Sequence, residues 1–229
     1  MPKALQPRPT GKRRSPAAAK PGLAREVIEE IRRTTKPTAA ADAIARLERA
    51  VELLERGDAR GSASEAQKAK ALSPRSPAVR EVLGMALYGQ GRWQEALQEL
   101  KAYKRMTGRV DQNHLIADSL RGSGKPEQVV PLAEEVLHAK VSNDVKAEAV
   151  IVAAAALADQ GRFAEGLAFL RRAQTRDDVS EPYTLRLWYV TGDLLARLGR
   201  TSEARAQFEK IMRHDPGAFD AAERLAQLG

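Results

Sequence analysis

The chain of 229 residues contains no cysteine and is poor in aromatic residues and histidine. Without cysteine it cannot form disulfides, thiolate metal sites or thiol-based catalytic centres. With four phenylalanines, four tyrosines and two tryptophans, it offers few rings on which single-stranded nucleic acid could stack its bases. The three histidines, His114, His138 and His214, lie far apart and share no metal-ligand spacing. We therefore predict that the chain holds no metal and no cofactor.

Long apolar runs are missing as well. No stretch approaches the 18 or so apolar residues typical of a membrane-spanning helix. The first residues are basic and contain prolines, and they lack the apolar stretch of a secretory signal. We expect a cytoplasmic protein that does not insert into a membrane, and the alanine- and arginine-rich composition is typical of a high-GC bacterium. The composition does not indicate an oligomeric state.

The net charge of +8 is concentrated at one end of the chain. Residues 1–22 carry six cations and no acidic residue, which leaves only +2 for the rest of the chain. The segment is also rich in proline and alanine and poor in large apolar residues, so we predict that it is a disordered basic arm. Three interpretations stay open: it binds nucleic acid or another polyanion by charge, it only keeps the chain soluble, or residues 12–16 form a short targeting or phosphorylation motif. The cations of a polyanion-binding arm would include Lys12, Arg13, Arg14 and Lys20.

Five glycines divide the remainder of the chain into similar segments. Their intervals are 34, 33, 37 and 38 residues, and the glycines are Gly57, Gly91, Gly124, Gly161 and Gly199. A leucine stands four residues before each of them, and an alanine or glycine stands seven before. A period of this length indicates stacked supersecondary units. Each glycine is placed where the left-handed turn after a helix favours glycine, so the pattern predicts two helices per unit.

The offsets resemble those of the tetratricopeptide repeat, a 34-residue helix–turn–helix unit. The best copy, near residues 185–217, has Trp188, Gly192, Leu195, Gly199, Ala204, Phe208 and Pro216 at the spacing of that family. Other copies are placed at about 43–76, 77–109, 110–143 and 147–180, within a repeat region of 38–217. The resemblance implies an all-α, right-handed superhelix of about five repeats, and a non-catalytic scaffold that binds a partner protein.

Both flanks of the repeats have helical spacing. Residues 23–37 form an amphipathic pattern through Leu23, Val27, Ile28 and Ile31, and Pro37 disfavours a helix at the residue before it. This helix either caps the first repeat or is presented to a partner. Residues 218–229 form a second pattern, which we interpret as a C-terminal capping helix because solenoids need polar-faced caps.

The resemblance implies that the first helix of each repeat lines a groove for a peptide or an amphipathic helix. The positions that map to this face are Leu47, Val51, Glu81, Met85, Tyr88, His114, Asp118, Arg121, Ile151, Tyr189 and Asp193. Family members that grip a C-terminal carboxylate use asparagines at positions where this chain has Val51, Met85, Asp118, Ala155 and Asp193. A carboxylate clamp is therefore not expected. The face is mixed, with apolar ends and centre and sparse charge, and a hydrophobic or amphipathic helix better suits Leu47, Met85, Tyr88, Ile151 and Tyr189. Several of these side chains could instead contact neighbouring repeats.

A search for catalytic motifs gives little. The segment 122–125 lacks the first glycine of a phosphate loop, and Pro126 replaces its Ser or Thr. Paired acids such as Glu134 and Glu135 are adjacent, so on a helix they diverge by about 100°. We predict that the chain is not an enzyme; the alternatives are a nucleic-acid-associated adaptor that uses the arm and, less favoured, an enzyme subunit.

Overall fold

The computed structural model describes residues 22–173 and 181–228, apart from the side chain of Pro182. These residues form twelve α-helices and one 3₁₀ turn and include no strand. They divide into two compact units at Gly124 and Lys125. We call residues 22–124 the N-terminal unit and the described residues from 125 onward the C-terminal unit. The division falls in the turn of the third predicted repeat.

The N-terminal unit consists of six helices joined by short connections. They are α1 (Arg25–Thr34), α2 (Pro37–Glu55), α3 (Ala59–Leu72), α4 (Pro77–Gly89), α5 (Trp93–Thr107) and α6 (Asn113–Gly122). Pairs α2/α3 and α4/α5 pack as helical hairpins, and α2 and α4 also contact each other. We refer to α2, α4 and α6 as first helices and to α3 and α5 as second helices.

The C-terminal unit begins with the 3₁₀ turn Pro126–Gln128 and continues with six helices. They are α7 (Val129–His138), α8 (Asn143–Asp159), α9 (Phe163–Leu170), α10 (Pro182–Arg197), α11 (Thr201–His214) and α12 (Ala221–Gln227). Pairs α8/α9 and α10/α11 are the hairpins, and α7 packs on α8. Here α8 and α10 are first helices, and α9 and α11 are second helices. The prediction of an all-α helical repeat fold is confirmed.

Four of the periodic glycines lie in turns between a first and a second helix, and the fifth, Gly124, follows the first helix α6. All have positive φ, between 71° and 80°, where a Cβ would be strained. In four of these turns the amide of the residue after the glycine donates to the leucine carbonyl five residues earlier, as Arg92 does to Leu87 at 3.0 Å. This bond closes the end of the first helix and fixes the direction of the second. The periodic leucine therefore contributes its backbone carbonyl to the turn as well as an apolar side chain to the repeat.

Small residues let the paired helices approach closely. A Cβ on Gly84 would lie 2.7 Å from the side chain of Leu100, and one on Gly192 would lie 2.9 Å from Phe208. Leu100 and Phe208 are fully buried in the hairpins α4/α5 and α10/α11. The small position and the large one nine residues after the turn glycine therefore form one packing pair.

Each end of the described repeats is covered by a short helix. Ile31 of α1 is buried with Leu47 and Val79, and Glu30 accepts a hydrogen bond from the Ser76 hydroxyl at 3.0 Å. Helix α1 is shorter than the predicted 23–37 segment. Pro37 is the first residue of α2, because proline lacks the amide hydrogen that a first helical turn leaves unused. At the other end, α12 packs on α11.

A recurrent ion pair starts three of the second helices. The arginine after the turn glycine forms two hydrogen bonds with the glutamate three residues later, in Arg92–Glu95, Arg162–Glu165 and Arg200–Glu203. Their distances are between 2.5 and 2.7 Å. In each case the arginine lowers the pKa of the glutamate. The pairs are exposed, so we assign them to solubility and local helix geometry rather than to stability.

Candidate partner-binding face

In the N-terminal unit the mapped positions lie on one side of the first helices, which we call the first-helix face. Val51 of α2 and Met85 of α4 are half-buried, as is the neighbouring Leu54. Leu47, by contrast, is fully buried beneath α1 and belongs to the core. The accessible apolar part of the face is therefore the strip formed by Val51, Leu54 and Met85.

A polar network lies at the same face, between α4 and α6. The Tyr88 hydroxyl donates to Asp118 Oδ2 at 2.7 Å, and Arg121 Nη1 donates to Asp118 Oδ1 at 2.8 Å. The side chains of Asp118 and Arg121 are only 10% and 6% exposed. The Tyr88 ring also meets Trp93 edge to face, with ring centroids 5.4 Å apart. The network fixes the two first helices against each other and positions the tyrosine ring one helical turn from Met85.

Glu81 and His114 lie closer to the start of these helices. Glu81 Oε1 accepts from Gln112 Nε2 at 2.8 Å, and burial raises the pKa of this carboxyl, an effect that the hydrogen bond partly offsets. His114 Nδ1 lies 2.9 Å from the carbonyl oxygen of Asp111. The Asp111 carboxylate in turn accepts from Tyr103, whose pKa is raised chiefly by burial. These side chains join the repeats to each other as well as lining the face.

The corresponding positions of the C-terminal unit are occupied by contacts within that unit. Ile151 is 3% exposed in α8, a helix whose residues from 149 to 158 are all buried. The Tyr189 hydroxyl donates to Asp220 at 2.6 Å, and its ring packs on Phe219 with centroids 5.0 Å apart. Burial and the Asp220 contact raise the pKa of Tyr189.

Asp193 is similarly engaged by the C-terminal end of the chain. It is 3% exposed, accepts from Arg197 Nε at 2.7 Å, and pairs with Arg224 of α12. Tyr189 and Asp193 thus hold α12 in place. Of the predicted face, the structure leaves accessible apolar side chains at Val51 and Met85, whereas Leu47, Ile151 and Asp193 are buried. The arm residues Lys12, Arg13, Arg14 and Lys20 lie outside the described residues.

The repeat pattern did not predict that Tyr88 and Tyr189 form hydrogen bonds with aspartates about one repeat further along the chain. Tyr88 reaches an aspartate 30 residues later and Tyr189 reaches one 31 residues later. A tyrosine and an aspartate separated by slightly less than one repeat were the available signal. The register of the first-helix face predicts ligand binding for Tyr88, Asp118 and Tyr189, whereas the structure engages all three in internal contacts.

Two general features of the described residues bear on the chemistry of the chain. No group of three or more His, Asp or Glu side chains in them converges as metal ligands would. None of their helices is long and apolar enough to cross a membrane.

Comparison with known families identifies the repeat. Models described as tetratricopeptide repeat match residues 47–109 and 114–181 in one case and 185–228 in another, and the first model alone matches more than half of the chain. The chain belongs to the tetratricopeptide repeat family. No curated protein matches the sequence of this tetratricopeptide repeat protein.

Two solved structures share its fold. A thermophilic tetratricopeptide repeat protein from Thermus thermophilus is 19% identical, with a TM-score of 0.62 over 81% of this chain and 98% of that one. YrrB, described as a tetratricopeptide repeat protein with an unusual peptide-binding site, is 18% identical, with a TM-score of 0.54 over 80% of this chain and 91% of YrrB. At these identities the likeness concerns the fold alone.

Proposed function

We propose that this tetratricopeptide repeat protein is a non-catalytic interaction scaffold that binds an amphipathic helix of a partner protein on the first-helix face of its N-terminal unit. The repeat is in general a protein-interaction scaffold, and YrrB, a structural neighbour, is described as having a peptide-binding site. The observation that carries the proposal is the half-buried apolar strip Val51, Leu54 and Met85 beside the Tyr88 network.

The strip favours a helical occupant with apolar residues at i, i+3 and i+4. Such spacing places them on one side, where they would meet Val51, Leu54 and Met85 together. Methionine suits such a face because its flexible thioether adapts to different apolar partners. The Tyr88–Asp118–Arg121 network supports the strip, and its Arg121 already pairs with Asp118 and is therefore not available to grip a partner's C-terminal carboxylate. The positions in the C-terminal unit are less suitable because the segment that ends in α12 occupies Tyr189 and Asp193.

A matched pair of methionine substitutions tests this proposal. Met85→Asp places a charge on the strip, and Met106→Asp places the same charge on α5, where Met106 is 41% exposed. Quantitative capture from cell extract should retrieve the same partners with the wild type and with Met106→Asp, and lose them with Met85→Asp. Thermal melts of both variants check that the fold is intact. Equal retention of partners by both variants would overturn the proposal.

A further inference from the structure

The N-terminal unit has an edge formed by the connections between successive repeats, which we call the loop edge. Three contacts hold it together. Thr35 Oγ1 donates to Ser73 Oγ at 2.6 Å, and Arg80 Nη2 donates to the Pro74 carbonyl at 3.0 Å. In addition, Gln112 Nε2 donates to Glu81 Oε1 of α4 at 2.8 Å. The connections at 35–36, 73–76 and 108–112 therefore follow one another along one side of this unit.

Exposed cations are concentrated along the loop edge. They are Arg32, Arg33, Lys36, Arg75, Arg105 and Arg109. Arg109 pairs with Asp111 at 2.5 Å, yet its side chain is still 65% exposed. The other five form no ion pair with any described residue. The cations are thus available to an external anion.

The acidic residues of this edge are already engaged in internal bonds. Glu30 accepts from Ser76 and from the backbone amide of Ala78, and Asp111 accepts from Tyr103 and Arg109. These two carboxylates offset only two of the six positive charges, so the loop edge keeps a local excess of positive charge.

The opposite edge of the unit, at the glycine turns, is different. There Arg56 and Arg60 alternate with Glu55 and Asp58, and Arg92 is paired with Glu95. The exposed charges of the glycine-turn edge thus include both signs, whereas the excess of positive charge is confined to the loop edge.

Helix polarity explains only part of this pattern. Arg32, Arg33 and Arg105 lie in the last turns of α1 and α5, where the helix dipole favours cations. Lys36, Arg75 and Arg109 lie in the connections, outside those last turns. These three charges are unpaired or largely exposed and lie at successive connections, so the helix dipole does not account for their positions.

We propose that the loop edge binds the phosphate backbone of duplex nucleic acid. Five of its six cations are arginines, whose planar guanidinium matches the oxygens of a phosphate. Tyr103, the aromatic residue beside this edge, is 2% exposed, so no described aromatic ring is available there for base stacking. A duplex is the suitable form of nucleic acid because it presents about one charge per 1.7 Å of its axis. This surface is separate from the first-helix face and is formed by folded residues, not by the basic arm.

Two matched double substitutions in the full chain test the proposal. Arg75→Gln with Arg105→Gln removes two charges from the loop edge, and Arg56→Gln with Arg60→Gln removes two exposed, unpaired charges from the described glycine-turn edge. Binding to a fluorescent DNA duplex is measured by anisotropy at several salt concentrations. We expect the loop-edge variant to bind roughly tenfold more weakly and to lose about 1.8 from the salt slope, since each phosphate contact contributes about 0.9. The control variant should bind within about twofold of the wild type, because its charges meet no phosphate.

Three outcomes would overturn the proposal. One is equal weakening in both variants, which would show binding by net charge alone. Another is no wild-type binding at low salt. The third is that the loop-edge substitutions weaken binding to anionic lipid vesicles or to polyglutamate more than they weaken binding to the duplex. Circular dichroism melts of the variants confirm that each chain is folded under the conditions of the titration.

Discussion

Tyr88 of α4 donates a 2.7 Å hydrogen bond to Asp118 of α6, thirty residues further along the chain. The pair has a counterpart in the C-terminal unit, where Tyr189 of α10 donates to Asp220 at 2.6 Å. In both units a tyrosine of a first helix is thus fixed by an aspartate about one repeat further on. The tie makes part of the first-helix face rigid while leaving Met85 half-exposed beside it.

Removal of the Asp118 carboxylate should destabilise the N-terminal unit strongly. Asp118→Ala removes the carboxylate that accepts from both Tyr88 and Arg121, and we expect a loss of about 3 kcal/mol in the free energy of unfolding, because each hydrogen bond to a charged group contributes about 1.5–3 kcal/mol. Tyr88→Phe removes one hydrogen bond to this carboxylate and should cost about 2 kcal/mol, as is typical of a hydrogen bond to a charged group. Urea denaturation measures both values. Glu95→Ala, which breaks an exposed pair, is the control and should change the stability much less.

The close approach of α10 and α11 predicts a specific rescue. Gly192→Ala would force a Cβ against Phe208, and overpacking of this kind costs about 1–3 kcal/mol. In a chain that already carries Phe208→Leu, the smaller side chain should make the additional cost of Gly192→Ala clearly smaller. A double-mutant cycle by chemical denaturation measures this difference. Additive effects would show that the two residues do not pack as described.

The pH dependence of stability should contain a contribution from Glu81. Burial raises the pKa of its carboxyl above the ordinary value of about 4.3, so the folded chain holds this proton where the unfolded chain has lost it. Stability contributed by the protonated group is present below the unfolded pKa and is lost as the pH rises through the folded pKa. Glu81→Gln should therefore gain stability relative to the wild type as the pH rises from about 4 to about 7. Denaturant titrations at several pH values test this, and a difference that shrinks with rising pH would contradict it.

Helix α12 should depend on its contact with Asp193. Arg224→Ala removes one of the two arginines paired with this buried carboxylate, and we expect a loss of about 2 kcal/mol, typical of a hydrogen bond to a charged group. Trp188 lies in α10 and Trp93 in the N-terminal unit, so fluorescence of Trp188 in a Trp93→Phe background reports on the C-terminal unit. Arg213→Ala, an exposed residue at the end of α11, is the control and should leave the unfolding midpoint unchanged.

Much of the fold follows from local chemistry that a sequence displays directly. The positive φ at Gly91 and the carbonyl of Leu87 belong to one turn, so their spacing is visible without knowledge of tertiary contacts. Pro37 alone does not tell from the sequence whether it ends one helix or begins another. A proline both disfavours the helix before it and suits the first turn of the next one.

The site was less predictable than the fold. Periodicity identifies the side of a helix on which Leu47 or Tyr189 lies, but it does not identify what packs there. Leu47 is covered by α1, and Tyr189 by the segment around Phe219. Such burial depends on flanking segments that lie outside the repeat pattern. The half-exposed strip at Val51 and Met85 could be recognised only once those covered positions were known.

We propose that a partner protein contacts the first-helix face of the N-terminal unit. The most direct test places a photo-crosslinking amino acid at position 85 and, in a second chain, at position 106, and irradiates both in living cells. We expect a discrete crosslinked partner from position 85 that is absent from position 106. The same crosslinks from both positions, or crosslinks from position 106 alone, would contradict it.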